Sequence, residues 1–353
     1  MSSSQPPAPA VVAVVDNGAS ALEDELSAAR GAATPAPSSP PGMAAVAPLL
    51  FASGLCALVY QVAWLRELRL VFGASTAASA AVLAVFMGGL GVGGLLLGRR
   101  ADRLARPLSL YANLELAVAA SAATTPLLLL GARSLYVTIG GSPTLGVTGA
   151  TFVRLLLTAV VLGVPTFVMG GTLPAAARAV STADDVKRRN VGTLYAVNTV
   201  GAVAGAFAAN FLLLEVFGTR MTLWLACLVN ALVGMTARAV ARRSAERTTG
   251  KDASADAASS GVAAARFPWF PSLAAGIAGF AFLLMELVWY RMLAPILGGS
   301  SYSFGLILCV ALLGIGIGGG LYARFGQNRP ATLAGFAWTC ALEALCLMVP
   351  FAV

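Results

Sequence analysis

The sequence predicts an all-α, polytopic transmembrane helix bundle, and three observations carry that expectation. Of the 353 residues, 58% are apolar and a further 38 are Gly. Charged residues make up 11%, against roughly 25% in an average soluble domain. The 23 Lys+Arg and 15 Asp+Glu are too few to clothe a soluble surface of this size. From Met43 onward, apolar runs alternate with short polar loops. A run of about 20 apolar residues is what a helix needs to cross the hydrocarbon core. An ordinary soluble enzyme, a disordered chain and a disulfide scaffold are thereby excluded.

Taken in order, residues 1–42 are rich in Ala, Ser and Pro and hold the acidic run Glu23-Asp24-Glu25. They lack a basic segment leading into an apolar one, so the expectation is a disordered cytoplasmic tail and not a cleaved signal. Nine apolar runs follow, at 44–64, 75–98, 108–130, 147–172, 191–214, 220–240, 269–290, 300–323 and 331–352. The first six form one expected bundle over 43–240. Residues 241–266, dominated by Ser, Ala, Asp and Lys, read as a cytoplasmic linker. Residues 267–353 read as a partial second bundle of three helices.

Lys and Arg set the orientation. The loops after the second, fourth, sixth and eighth runs hold 16 of them, against 5 in the loops after the first, third, fifth and seventh. The net charge of +8 is thus mostly a topology signal, and no aromatic-interleaved basic patch points to nucleic acid. The expected location is a bacterial inner membrane with the N-terminus in the cytoplasm.

A shift of 225 residues aligns the two ends of the chain. Gly54 meets Gly279, Trp64 meets Trp289, Arg66 meets Arg291, Gly73 meets Gly298 and Ser75 meets Ser300. Gly89, Gly91, Gly93 and Gly94 meet Gly314, Gly316, Gly318 and Gly319, and 54–99 against 279–324 gives 15 identities in 46 positions. An even number of helices, six, separates the copies, so both enter the membrane in the same direction. Parallel repeats of this kind relate the two halves of the major facilitator superfamily (MFS). The expected fold is an MFS-like parallel repeat, six helices plus three of a second half. The chain is either a six-plus-three protein or the front part of a longer one, and the second is the expectation.

Gly89 to Gly94 and Gly314 to Gly319 both match GxGxxG, and Glu115 lies 21 residues beyond Gly94. A dinucleotide fingerprint requires a strand before it and a helix opening at it. Both runs lie instead inside long apolar stretches. Gly89, Gly93, Gly314 and Gly318 are therefore read as close helix-packing positions.

Arg99, Asp102 and Arg103 close the second run within Gly98–Pro107. They resemble the MFS loop between helices 2 and 3. Asp102 is either a gate latch accepting charge-assisted hydrogen bonds or part of a plain basic loop.

Ionisable groups inside spans are costly and are functional candidates by default. Glu115, Arg154, Glu286 and Glu343 are such groups, with Gln61 as the repeat equivalent of Glu286. Two acids facing one cavity suit a cationic substrate or a proton, while a structural Glu–Arg or Glu–backbone contact is the alternative. Arg154 can pair with at most one or two of the acids. Trp64 and Trp289, each followed by an arginine two residues on, are read as interfacial anchors.

Five cysteines all lie in apolar stretches without a CxxC pair, and histidine is absent. A Ser-His-Asp triad, a Cys-His pair and His-ligated zinc are excluded, and no cofactor or metal is expected.

Several segments together resemble the membrane part of bacterial fused MFS/spermidine synthase proteins. They are Leu58–Arg66, Val71–Ser75, the glycine-rich second run with Ala101-Asp102-Arg103, Leu110-Tyr111 with Leu114-Glu115-Leu116, Gly170–Pro174 and Leu194–Ala202. Glu286–Arg291 with Gly298–Ser303 is similar to that family's second copy, and the resemblance covers about 44–325. It implies a membrane module joined to an aminopropyltransferase-like domain, which binds its donor through a Gly-rich loop and an acid. This chain holds no GGGDG-like stretch after a candidate strand and no soluble stretch long enough for such a domain.

The resulting expectation is a transporter-like module in the lipid bilayer, handling a polyamine or related cation. The alternatives are a membrane-anchored spermidine synthase whose catalytic domain lies elsewhere, in the same or another chain, and a purely structural anchor. The orientation is checked directly: a reporter fused within 241–266 is expected to read cytoplasmic, and a periplasmic signal would overturn both the orientation and the six-helix first half.

Overall fold

The computed structural model describes residues 42–73, 75–181, 189–249, 269–298, 301–326 and 332–352. Residues 1–41 of the expected tail and residues 250–266 of the expected linker lie outside them, as do Lys187, Arg188 and Arg329 of the loop count. The described residues are almost entirely helical and hold no strand.

Helix α1 is Met43–Phe72, α2 Thr76–Arg103, α3 Pro107–Thr138, α4 Gly141–Gly170 and α5 Thr172–Val180. Helix α6 is Arg189–Ala208 and runs on through a π-helical turn, Ala209–Leu213, to Val216. Then come α7 Gly218–Thr249, α8 Trp269–Leu297, α9 Ser301–Leu321 and α10 Leu333–Ala352.

Eight of these helices, with α4 and α5 together making one, are long and apolar enough to cross a membrane, as in a multi-pass membrane protein. The ninth expected run is α10, whose apolar part, Leu333–Val349, is shorter. Several helices outrun their apolar stretches. α1 continues two turns past residue 64, and α7 carries on as helix through Thr249, nine residues into the expected linker.

Local chemistry explains the ends. Ser75 caps α2, its hydroxyl accepting from the Ala78 amide at 3.2 Å. Arg100 and Arg103 lie in the last turn of α2, where cations oppose the helix dipole favourably. Pro107 opens α3, where its missing N–H costs nothing. Between α3 and α4 the chain reverses at Gly140 (φ 83°) and Gly141 (φ 56°), backbone conformations that favour glycine.

The first six spans pack in pairs: α2 against α4, α1 against α6, and α3 against α7. Tyr60, Trp64, Phe86, Tyr111, Leu162 and Leu194 are wholly buried between them. Leu127, Phe152, Val160 and Val164 are exposed on the outside, as lipid-facing positions should be.

Glycine makes two of these pairings close. A Cβ at Gly93 would run into the Phe167 carbonyl, one at Gly89 into the Thr166 side chain, and one at Gly170 into the Leu90 carbonyl. Across α1 and α6, a Cβ at Gly201 or Gly205 would strike the carbonyls of Phe51 or Leu55, and one at Gly54 that of Asn198. Lipid tails are as apolar as leucine, so close van der Waals contact is what holds such helices together.

Around Gly314 and Gly318 of α9 the picture differs. No described residue comes within 4 Å of where their Cβ atoms would stand. On α2 the helix α4 covers Gly89 and Gly93; at Gly314 and Gly318 of α9 no described helix comes as close. Instead α9 packs on α6, and there Gly305 admits the Asn210 side chain, which a Cβ would displace.

The substitution Gly93→Leu is expected to destabilise the α2–α4 pair by at least the 1–3 kcal/mol typical of overpacking. Gly314→Ala should be neutral. Thermal melts of the purified protein in detergent check both. Equal tolerance at the two positions would show that close backbone approach at Gly93 does not matter.

Candidate functional site

The sequence-selected polar groups fall into separate environments. Glu115 on α3 is 1% exposed. Its Oε1 accepts from the Ser53 hydroxyl of α1 at 2.6 Å, and its Oε2 accepts from the Asn230 amide of α7 at 2.8 Å. The same Asn230 nitrogen reaches the Glu115 backbone carbonyl at 2.8 Å. Glu115 is thus a junction tying three helices, with both carboxylate oxygens occupied.

Arg154 pairs with none of the acids among the described residues. Its Nη2 donates to the Ser142 hydroxyl at 2.6 Å within α4, and its guanidinium lies 5.8 Å from the Tyr136 ring centre. Tyr136 in turn shares a hydrogen bond with Ser142 at 3.0 Å. The charge is held by a hydroxyl and an aromatic face at the α3–α4 turn. The expected Glu–Arg partnership inside the bundle is absent there because Arg154 points to its own helix's beginning.

Glu286 stands apart. It is the single wholly buried side chain among the described residues of α8, a helix that otherwise exposes most of its surface. Its Oε1 has no hydrogen-bond partner among the described residues. Gln61, the repeat-equivalent position on α1, is equally buried, and its Nε2 is likewise without a partner. Both positions are therefore buried polar heads left partly unsatisfied. Such groups cost several kcal/mol in hydrocarbon unless water or a ligand reaches them.

Glu343 on α10 is exposed, set in an apolar groove of about 460 Å³ between α8 and α10. Arg99, Asp102 and Arg103 are all exposed at the end of α2. None of the three makes a side-chain hydrogen bond or ion pair among the described residues, so no latch is closed between them in this conformation.

Trp64 is not an interfacial anchor. It is wholly buried, donates from its indole nitrogen to Thr125 at 2.9 Å and stacks on Tyr60 at 5.1 Å. The reason is that α1 does not end near residue 64. Trp289 is half-buried on α8. Cys56, Cys227 and Cys309 are buried as expected of small core residues, whereas Cys340 and Cys346 on α10 are exposed.

Sequence reasoning passed over Asn230, Asn210 and Ser53. The amides carried a legible signal, since each sits in an otherwise apolar run and must find a partner there. Asn210 donates to the Ala206 carbonyl at 2.8 Å in the π-helical part of α6. Nearby, Tyr302 of α9 donates to Glu215 at 3.0 Å, and Arg69 of α1 donates to Tyr290 of α8 at 3.2 Å. These bonds link α8 and α9 to the first six spans. No group of three or more metal-ligating side chains occurs among the described residues.

Asn230→Ala removes two bonds to Glu115. It is expected to destabilise the protein by about 1–2 kcal/mol, the upper part of the range for hydrogen bonds between membrane helices. Ser53→Ala should cost less, and the pair should be non-additive in a double-mutant cycle read by thermal melts, because both act on one carboxylate.

Comparison of the chain with protein-family models, with curated proteins and with solved structures finds no match.

Proposed function

We propose that the chain is a transport-like membrane module built from parallel repeats, similar to the membrane part of fused MFS/spermidine synthase proteins, and that it handles a polyamine or related organic cation. In this reading it sits in a bacterial inner membrane with its N-terminus in the cytoplasm. The observation that carries the reading is Glu286. An apolar helix buries one side chain fully, that side chain is an acid, and one of its oxygens has no partner among the described residues. A group of this kind is complementary to an ammonium or a proton. Gln61 at the equivalent place in the first copy supports a shared polar site, because parallel repeats pack around an axis along the membrane normal. The pairing of each of the first three spans with one of the next three supports a compact first half.

The two acids then have different roles. Glu115 is a structural junction, and Glu286 is the cation-facing group. Glu286→Gln keeps the shape and removes the charge. In proteoliposomes loaded with labelled spermidine or putrescine, this variant is expected to lower flux about tenfold, the loss of one charge-assisted contact. Its melting temperature should stay unchanged or rise. Wild-type flux no greater than that of empty liposomes would overturn the transport reading, and unaltered flux in Glu286→Gln would remove this acid from it.

A further inference from the structure

A second polar feature lies at the opposite end of the bundle from the arginine-rich ends of α2 and α7, and it does not depend on the transport reading. The C-terminal end of α1, the second half of α3 and the first turns of α7 enclose an open cavity of about 530 Å³. That is within the usual size range of small-molecule sites. Its lining includes three charged side chains, Glu67, Arg133 and Arg220, and an apolar wall with Leu127, Leu130 and Trp224. None of the three charges makes a hydrogen bond or ion pair among the described residues. Leu127 and Leu130 are 73% and 62% exposed, so the wall opens toward lipid.

The layout has a depth. At 1.5 Å per residue, Arg133 lies about 8 Å from the end of α3 and Leu127 about 16 Å from it. The charges are therefore at headgroup level and the apolar wall reaches toward the hydrocarbon. Arg220 is also in the first turn of α7, where the helix dipole disfavours a cation. An anion placed between Arg220 and Arg133 removes that penalty and meets the free amides of the helix end.

We propose that this cavity binds a phospholipid with an ethanolamine headgroup. Two guanidiniums and one carboxylate at a single mouth match a phosphate plus a primary ammonium. The phosphate is held by Arg133 and Arg220, which suit it geometrically. The ammonium donates to Glu67, a charge-assisted bond that a quaternary choline cannot make. A glycerol headgroup leaves Glu67 facing an anion without a cation between them. The acyl chain follows Leu127, Leu130 and Trp224. A soluble phosphate ester lacks that last contact.

The test uses the full chain, purified in detergent and titrated with phosphatidylethanolamine, phosphatidylglycerol or phosphatidylcholine under native mass spectrometry. Phosphatidylethanolamine is expected to bind about tenfold more tightly than the other two. Glu67→Gln should erase that preference, while Arg133→Gln with Arg220→Gln should weaken all three lipids about tenfold. None of the three side chains has a partner among the described residues, so melting temperatures in lipid-free detergent should not change. An independent reading uses phosphatidylethanolamine brominated on its acyl chain, which should quench the emission component lost in Trp224→Phe. Equal binding of the three lipids, preference retained in Glu67→Gln, or full competition by soluble phosphoethanolamine would each overturn the proposal.

Discussion

Backbone contact between helices is the constraint on which the rest of this structure depends. Inside a bilayer, burying leucine against leucine gains little over leaving it in lipid. What remains is dispersion, which grows only when main chains approach closely, and hydrogen bonding between polar groups that have no water. Gly89, Gly93 and Gly170 bring α2 onto α4, and Gly54, Gly201 and Gly205 bring α1 onto α6. Once those crossings are set, the faces available to α3 and α7 are determined, and the wholly buried aromatics Tyr60, Trp64 and Tyr111 fill the space between.

Polar groups complete the assembly, and identical residue types take on opposite circumstances. Glu115 is enclosed by donors from two other helices, and its carboxylate accepts two hydrogen bonds, from Ser53 and Asn230. Glu286 is almost as deeply buried and has an oxygen with no partner among the described residues. The first acid holds helices together, and removing a neighbour should weaken the fold. The second leaves a carboxylate oxygen without a partner among the described residues, and a membrane protein carries such a group at a cost. That contrast is the physical basis for proposing a functional role for Glu286 and a structural one for Glu115.

The repeat illustrates how surroundings decide the role of a residue. Gly93 and Gly318 are equivalent in sequence, yet one touches the Phe167 main chain and the other has no described neighbour within 4 Å. Trp64 and Trp289 are likewise equivalent, yet one is sealed in the core and the other half-buried. A repeat preserves local conformation because helix propensity and apolar length are local. It does not preserve contacts, which depend on the helices that surround each copy.

The sequence by itself determined the helical class, eight of the nine apolar runs that are long enough to span, and the positions of the ionisable groups within them. All three follow from apolar run length and the absence of water in the bilayer, which act on each segment separately. The glycine face of α2 was legible for the same reason, since small residues spaced by four lie on one side of a helix. Only the tertiary structure decided that Glu115 meets Ser53 and Asn230, that Arg154 turns to Ser142 and Tyr136 instead of an acid, and that Trp64 lies inside. Those outcomes join residues as many as 115 positions apart. Periodicity along one helix shows which face is polar, but the partner on that face is chosen by how several helices cross.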